Sequence, residues 1–132
     1  MNIISFSWTT PALLAGRKTV TRRDWIESHA RKFKAGYLVA GYDLSPRIHG
    51  KKVAIIRLTA DPYRENTADI PDSDYEAEGF KYLEENYPGL GRRASNLFWH
   101  VWKETPITLW VVRFEVVKTV FTTELGVKCE YH

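Results

Sequence analysis

Residues 109–117 read LWVVRFEVV, the strongest apolar alternation in the chain. Trp110, Val112, Phe114 and Val116 recur at a spacing of two, so they share one face of an extended strand. A strand of this kind needs partners, and they lie upstream. Residues 51–60, KKVAIIRLTA, are apolar on both faces: Val53 and Ile55 on one, Ala54, Ile56 and Leu58 on the other. GYLVAGY, residues 36–42, and IISFS, residues 3–7, read as two further strands. TTPALLAG, residues 9–16, predicts a short helix. Thr9 or Thr10 can cap it, Pro11 suits its first turn and Gly16 can end it.

Between the two strongest strands the period changes to that of a helix. Asp72, Ser73 or Asp74 can start a helix in DSDYEAEGFKYLEENYPG, residues 72–89. Ala77, Phe80, Leu83 and Tyr87 then fall on one face, and Pro88 and Gly89 stop it. Gly79 inside it costs about 1 kcal/mol against alanine, which points to a bend or a close approach. SNLFWHVWKE, residues 95–104, predicts a second helix capped by Ser95, with Trp99 and Trp102 facing the core. Strands first, helices in the middle and a strong late strand give a mixed α+β domain with a mostly antiparallel or barrel-like sheet. No glycine-rich dinucleotide fingerprint follows a strand, and strand–helix alternation is too sparse for a doubly wound fold.

The chain has 132 residues, enough for one domain with one core. No apolar run approaches the roughly 20 residues of a membrane span, and the N-terminus lacks a secretory pattern. The single cysteine, Cys129, has no partner for an internal disulfide, which fits a cytoplasmic setting. His29, His49, His100 and His132 are too scattered for metal-ligand spacing, and neither a metal nor another cofactor is expected. The net charge of +3 is unevenly spread. Residues 1–57 hold 11 Lys/Arg against 3 Asp/Glu, whereas residues 58–91 hold 2 against 9. Such a basic half suits an anionic partner, nucleic acid or nucleotide, or else the acidic half neutralises it across the fold.

The densest basic stretch is AGRKTVTRRDW, residues 15–25. A lysine amine becomes a base only when neighbouring cations and burial lower its ordinary value of about 10.4. Arg17, Arg22 and Arg23 stand close enough in sequence to do so for Lys18. A lysine so depressed can take the proton of a threonine hydroxyl about 3 Å away. In an ideal strand Lys18 and Thr21 would point to opposite faces, so the chain must turn for them to meet, and Gly16 allows a turn. A carboxyl to protonate a leaving amine has four candidates on the acidic helix: Glu76, Glu78, Glu84 and Glu85.

LLAGRKTVTRRDW, FKAGYLVAGY, EAEGF and LWVVRFEVV, in this order over about residues 3–117, resemble the ASCH domain family of PUA-like β-barrels. The resemblance implies a single domain over 1–132, a barrel of mostly antiparallel strands with flanking helices. Within the family, the chain is similar to the small YqfB-type N4-acetylcytidine amidohydrolases. That similarity implies a catalytic set of Lys18 as base, Thr21 as nucleophile and Glu78 as acid, and so selects Glu78 among the four glutamates. The implied substrate is a modified cytosine nucleoside. Arg17, Arg22, Arg23 and Trp25 would then bind substrate or nucleic acid, Trp25 by stacking on a base. Arg22 or backbone N–H groups near Gly16 are candidates for the oxyanion. The chain departs from the small enzymes in carrying Arg22 where they tend to have an apolar residue, and in the added segment YPGLGRRASNLFWHVWKETP before the last strand. Other family members bind nucleic acid or act as ribonucleases. An RNA- or DNA-binding module would use Arg17, Lys18, Arg22, Arg23, Arg31, Lys32, Lys34, Lys51, Lys52 and Arg92–Arg93 as one exposed track.

Overall fold

The structure, a computed structural model, describes residues 1–122 and 128–131. Its centre is the strand anticipated at 109–117. It runs further in both directions, over Thr108–Thr122, as β6. The strands before it are β1 (Asn2–Ser5), β2 (Val20–Arg23), β3 (Leu38–Tyr42), β4 (Lys52–Leu58) and β5 (Tyr63–Asn66); β7 (Lys128–Tyr131) follows it. β6 is long enough to pair four of them. Its first half holds β5 and β2, with Asn66 opposite Thr108 and Thr21 opposite Val112. Its second half holds β4 and β7, with Leu58 opposite Phe114 and Thr119 opposite Tyr131. The main path of the sheet is β1-β3-β4-β6-β2. One strand shared between two sets of partners makes the sheet curl, and bulges at Gly41/Tyr42 and Ile55/Ile56 add bend. Every pairing is antiparallel except β1 with β3, which is parallel.

The core lies inside the curl. Ile4, Phe6, Leu13, Val39, Ala54, Ile56, Leu58, Val112 and Phe114 form its centre, joined by Phe33. On β6 the neighbours Val111 and Val112 are both buried, so both faces of its first half are covered, and Arg113, on the Val111 face, bonds the helical Asp74.

Several boundaries differ from the sequence reading. Helix α1 is Thr10–Leu14, with Pro11 in its first turn and Gly16 at φ +73 turning the chain away. Thr9 occupies the cap position without a side-chain cap bond. Residues 72–89 form two helices, not one: α3 (Asp74–Ala77) and α4 (Phe80–Asn86). Gly79 separates them at φ +87, in the left-handed region that interrupts a helix. Tyr87 ends up 44% exposed, outside the buried face expected for it. The last helix, α5, starts at Leu90, five residues before the expected Ser95. Ser95 is no cap: it is buried mid-helix and its hydroxyl donates to the Gly91 carbonyl. A hydroxyl bonded back one turn is a normal alternative to capping. Trp99 and Trp102 pack inward, Trp99 edge-on to Tyr75 and Trp102 against Phe80. The short helix α2 (Glu27–Ala30) and strands β2 and β5 carry no strong periodicity. Of the C-terminal stretch TTELGVKCEYH, residues 128–131 pair with β6; residues 123–127 and 132 lie outside the described residues.

Candidate functional site

The site forms where the turn after α1 meets the break between α3 and α4. Gly16 reverses the chain, and the N–H groups of Arg17 and Lys18 both donate to the Ala12 carbonyl. Thr19 then donates to the Ala77 carbonyl and accepts from the Phe114 N–H. These bonds pin residues 17–19 between α1, α3 and β6. They aim Lys18 inward, where it is 1% exposed. On the other side, Gly79 ends α3 one residue after Glu78, which leaves the Glu78 carbonyl without a helical partner. Lys18 Nζ supplies that partner, donating to Glu78 O at 2.8 Å and to Glu78 Oε1 at 3.0 Å. Gly79 is required here for a second reason: a Cβ on it would lie 2.5 Å from Ala12 Cβ and 3.3 Å from Lys18 Cβ.

Thr21 follows on β2, 4% exposed, and lines the same small cavity as Lys18 and Glu78, of about 150 Å³. Two residues along the strand, Arg23 lies on the same face as Thr21. Its Nε donates to Thr21 Oγ1 at 3.1 Å and its Nη2 to the Ser5 carbonyl at 2.6 Å. The wall opposite is aromatic: Phe6, Trp8, Phe80 and Trp102. Trp8 lies between Phe80 and Phe98 as a stack, at 5.6 and 5.4 Å. Ser7, at the rim, holds φ +47, a conformation that non-glycine residues rarely keep. Larger cavities exist. The apolar one of about 420 Å³ behind Trp8, against Leu83, Leu90 and Ala94, is lined by no charged group.

Beneath the cavity sits a buried charge network. Arg22 is fully buried, and its guanidinium reaches Glu78 Oε2 at 2.7 Å, Glu65 Oε1 at 2.9 Å and Asp74 Oδ2. Arg113 closes the far end, donating to both Asp74 oxygens and to Tyr63 Oη. Burial lowers Lys18 from its ordinary value; Glu78 opposes this, and Arg23 and Arg22 push it further down. Burial also lowers Arg23, with Glu78 opposing, yet a guanidinium so shifted is still a cation at neutral pH. Burial works against Arg22, but Glu78, Asp74 and Glu65 outweigh it and raise Arg22. Burial likewise opposes the Asp74 charge, and Arg113 and Arg22 overcome it to hold Asp74 below the usual carboxylate range.

Lys18, Thr21 and Glu78 therefore converge, and Arg22 and Arg23 stand beside them. Arg22 also lines the cavity, but its guanidinium is turned to three carboxylates, Glu65, Asp74 and Glu78, which makes it first of all their counter-charge. Arg17 points away, paired with Glu76 at 2.7 Å on the surface. Trp25 stacks on Phe33 at 4.6 Å and meets His29 edge-on, and it lines a different cavity. The expected basic track is broken, because Lys18 and Arg22 are inside the protein. Sequence reasoning passed over Glu65, Asp74 and Arg113 as site residues. Their only signal was charge: Glu65 lies in a segment with no clear period, Asp74 reads as a helix start and Arg113 is the one cation of the LWVVRFEVV strand, while the network they join is assembled from β2, β5, α3 and β6. Among the described residues, no group of three or more His, Cys, Asp or Glu side chains comes together to hold a metal ion. No helix among them is long and apolar enough to cross a membrane.

No known family profile matches the chain, and no curated protein does. The crystal structure of protein EF3133 from Enterococcus faecalis V583, of family DUF984, is similar in fold, with a TM-score of 0.54. The match is 20% identical and covers 90% of this chain and 77% of that one. At this identity the likeness speaks for the fold alone: a curled, PUA-like sheet with flanking helices, as the sequence resemblance implies.

Proposed function

We propose that this chain is an amidohydrolase that removes an acyl group from the exocyclic amine of a cytosine nucleoside, N4-acetylcytidine being its simplest substrate. The observation that carries the reading is the buried Lys18 amine, bonded to Glu78 and sharing one cavity with Thr21. An unpaired structural lysine would sit in solvent. This one is desolvated and lowered, as a general base must be. In this reading Lys18 takes the Thr21 proton and Thr21 Oγ1 attacks the acyl carbonyl. The Arg23 guanidinium, already on Oγ1, stabilises negative charge developing there and on the carbonyl oxygen. The Lys18–Glu78 pair supplies the proton that the departing amine needs. Water then releases the acyl group from Thr21. Phe6, Trp8, Phe80 and Trp102 line the cavity and give a pyrimidine an aromatic wall to pack against.

The test is turnover of N4-acetylcytidine, with released cytidine read by chromatography. Wild type hydrolyses it, and Lys18→Ala and Thr21→Ala each lose about 100-fold or more. Turnover is insensitive to salt, because a neutral nucleoside releases no counterions, whereas a phosphate-binding module weakens steeply. An inert wild type, or full activity in Thr21→Ala, refutes the reading.

A further inference from the structure

Both carboxylate oxygens of Glu78 are already taken by cationic donors. Lys18 Nζ lies 3.0 Å from Oε1 and Arg22 Nη1 2.7 Å from Oε2, and the residue is 2% exposed. Arginine has donors only, so Arg22 cannot accept a proton from Glu78 or make room for one on Oε2. Arg22 is itself bonded to Glu65 from β5 and Asp74 from α3, and Asp74 is bonded in turn by Arg113 from β6. The charges facing this centre also balance in one particular state. Arg22, Arg23 and Arg113 offset Glu65, Asp74 and Glu78 when Lys18 is neutral. A protonated Glu78 would leave one arginine in excess in a buried place.

We infer that Arg22 is a positioning residue that keeps Glu78 a carboxylate throughout the reaction, so that Lys18 moves the proton in both directions. This rests on the amidohydrolase reading and deepens it. The Thr21 Oγ1–carbonyl carbon bond forms as the Oγ1 proton passes to Lys18 Nζ. The carbon–nitrogen bond then breaks as the resulting ammonium returns that proton to the leaving amine, giving the acyl-threonine. In the second half Lys18 takes a proton from water as its oxygen attacks the ester carbon. It returns that proton to Thr21 Oγ1 when the ester bond breaks, and the acid leaves. No external proton donor or metal is needed for the balance. Glu78 orients Lys18 and stabilises its ammonium, as the aspartate of a Ser-His-Asp triad does for histidine.

The experiment compares two acetyl substrates on the full chain, the amide N4-acetylcytidine and the ester 4-nitrophenyl acetate, whose phenolate leaves without a proton. Glu78→Gln is expected to slow both by similar factors. If Glu78 were the acid, the amide alone would lose roughly 10²–10⁴-fold and the ester would be spared; that result overturns the inference. For the wild type, kcat/KM for the amide rises with pH to a plateau. A falling limb that disappears in Glu78→Gln also overturns it. Arg22→Gln removes a cation that lowers Lys18, so the rising limb moves to higher pH, a shift that a merely structural role would not cause. Because the variants can misfold, the Glu78 carboxyl carbon is also followed by NMR in the wild type, assigned through its own side chain. It stays ionised across the neutral range; a protonated carboxyl there refutes the inference. An inert wild type overturns the amidohydrolase reading and this inference with it. An active wild type whose Glu78→Gln loss falls on the amide alone overturns only the inference.

Discussion

Gly79→Ala tests whether the site depends on the break between α3 and α4. The backbone at residue 79 has φ +87, where an L-residue costs about 1–2 kcal/mol. The new methyl would also stand 2.5 Å from Ala12 Cβ, against the 3.5–4.0 Å at which carbon atoms rest. Relieving that overlap means moving α1 or α4 by about 1 Å, an overpacking that costs about 1–3 kcal/mol. Lower entropy of the unfolded chain returns about 0.4–1 kcal/mol. The expected net loss is about 2–4 kcal/mol, read as a shift in the urea midpoint at unchanged slope. Gly36→Ala separates the two causes. Gly36 has nearly the same φ, +85, but nothing within 4 Å of the added methyl, so it bears the conformational cost alone, about 1 kcal/mol. Ala12→Gly in the Gly79→Ala background removes the clashing methyl and recovers part of the loss, a coupling that a double-mutant cycle measures. Activity falls with stability, because the same turn points the Glu78 carbonyl at Lys18. Equal costs for Gly79→Ala and Gly36→Ala, or no coupling to Ala12, would refute the close-approach argument.

Two further outcomes concern the buried charges. Lys18 is lowered in the folded state from an unfolded value of 10.5, so between the two values the unfolded chain binds more protons and stability rises with pH. Lys18→Met abolishes that rise, and a series of urea midpoints in the alkaline range compares the two slopes; identical slopes contradict the burial of a lowered amine. Asp74 is shifted the other way, below 3.8, so its stabilisation is present above that value and is lost as pH falls through the lower folded one. Asp74→Asn leaves Arg22 and Arg113 partly unpaired and costs about 3–5 kcal/mol at neutral pH, and the gap to wild type narrows in acid. A loss under about 1 kcal/mol at neutral pH, within the range of an exposed pair, would show the network to be dispensable.

The elements legible along the chain are those whose side chains repeat against a single large surface. LWVVRFEVV is legible because its alternation matches the pleat, and KKVAIIRLTA because both of its faces are apolar. Gly79 announced a bend or close approach, and the structure contains both. The trio Lys18, Thr21 and Glu78 came from the order of motifs, not from spacing: residues 18 and 78 are sixty apart, and only packing brings them to 3.0 Å. Which basic residues look inward depends on long-range packing. Arg17, Arg22 and Arg23 are equivalent as letters. The turn at Gly16, the pairing of β2 with β6 and the alternation along β2 leave the first in solvent, put the second on three carboxylates and the third on Thr21. The same holds for α5, whose first turn, Leu90 to Arg93, is basic and lacks the apolar spacing that would mark it as helix. Hydrophobic period is a local property and can be read along the chain. The partner of a charge is a property of the assembled strands and helices, set by long-range packing that no short window contains.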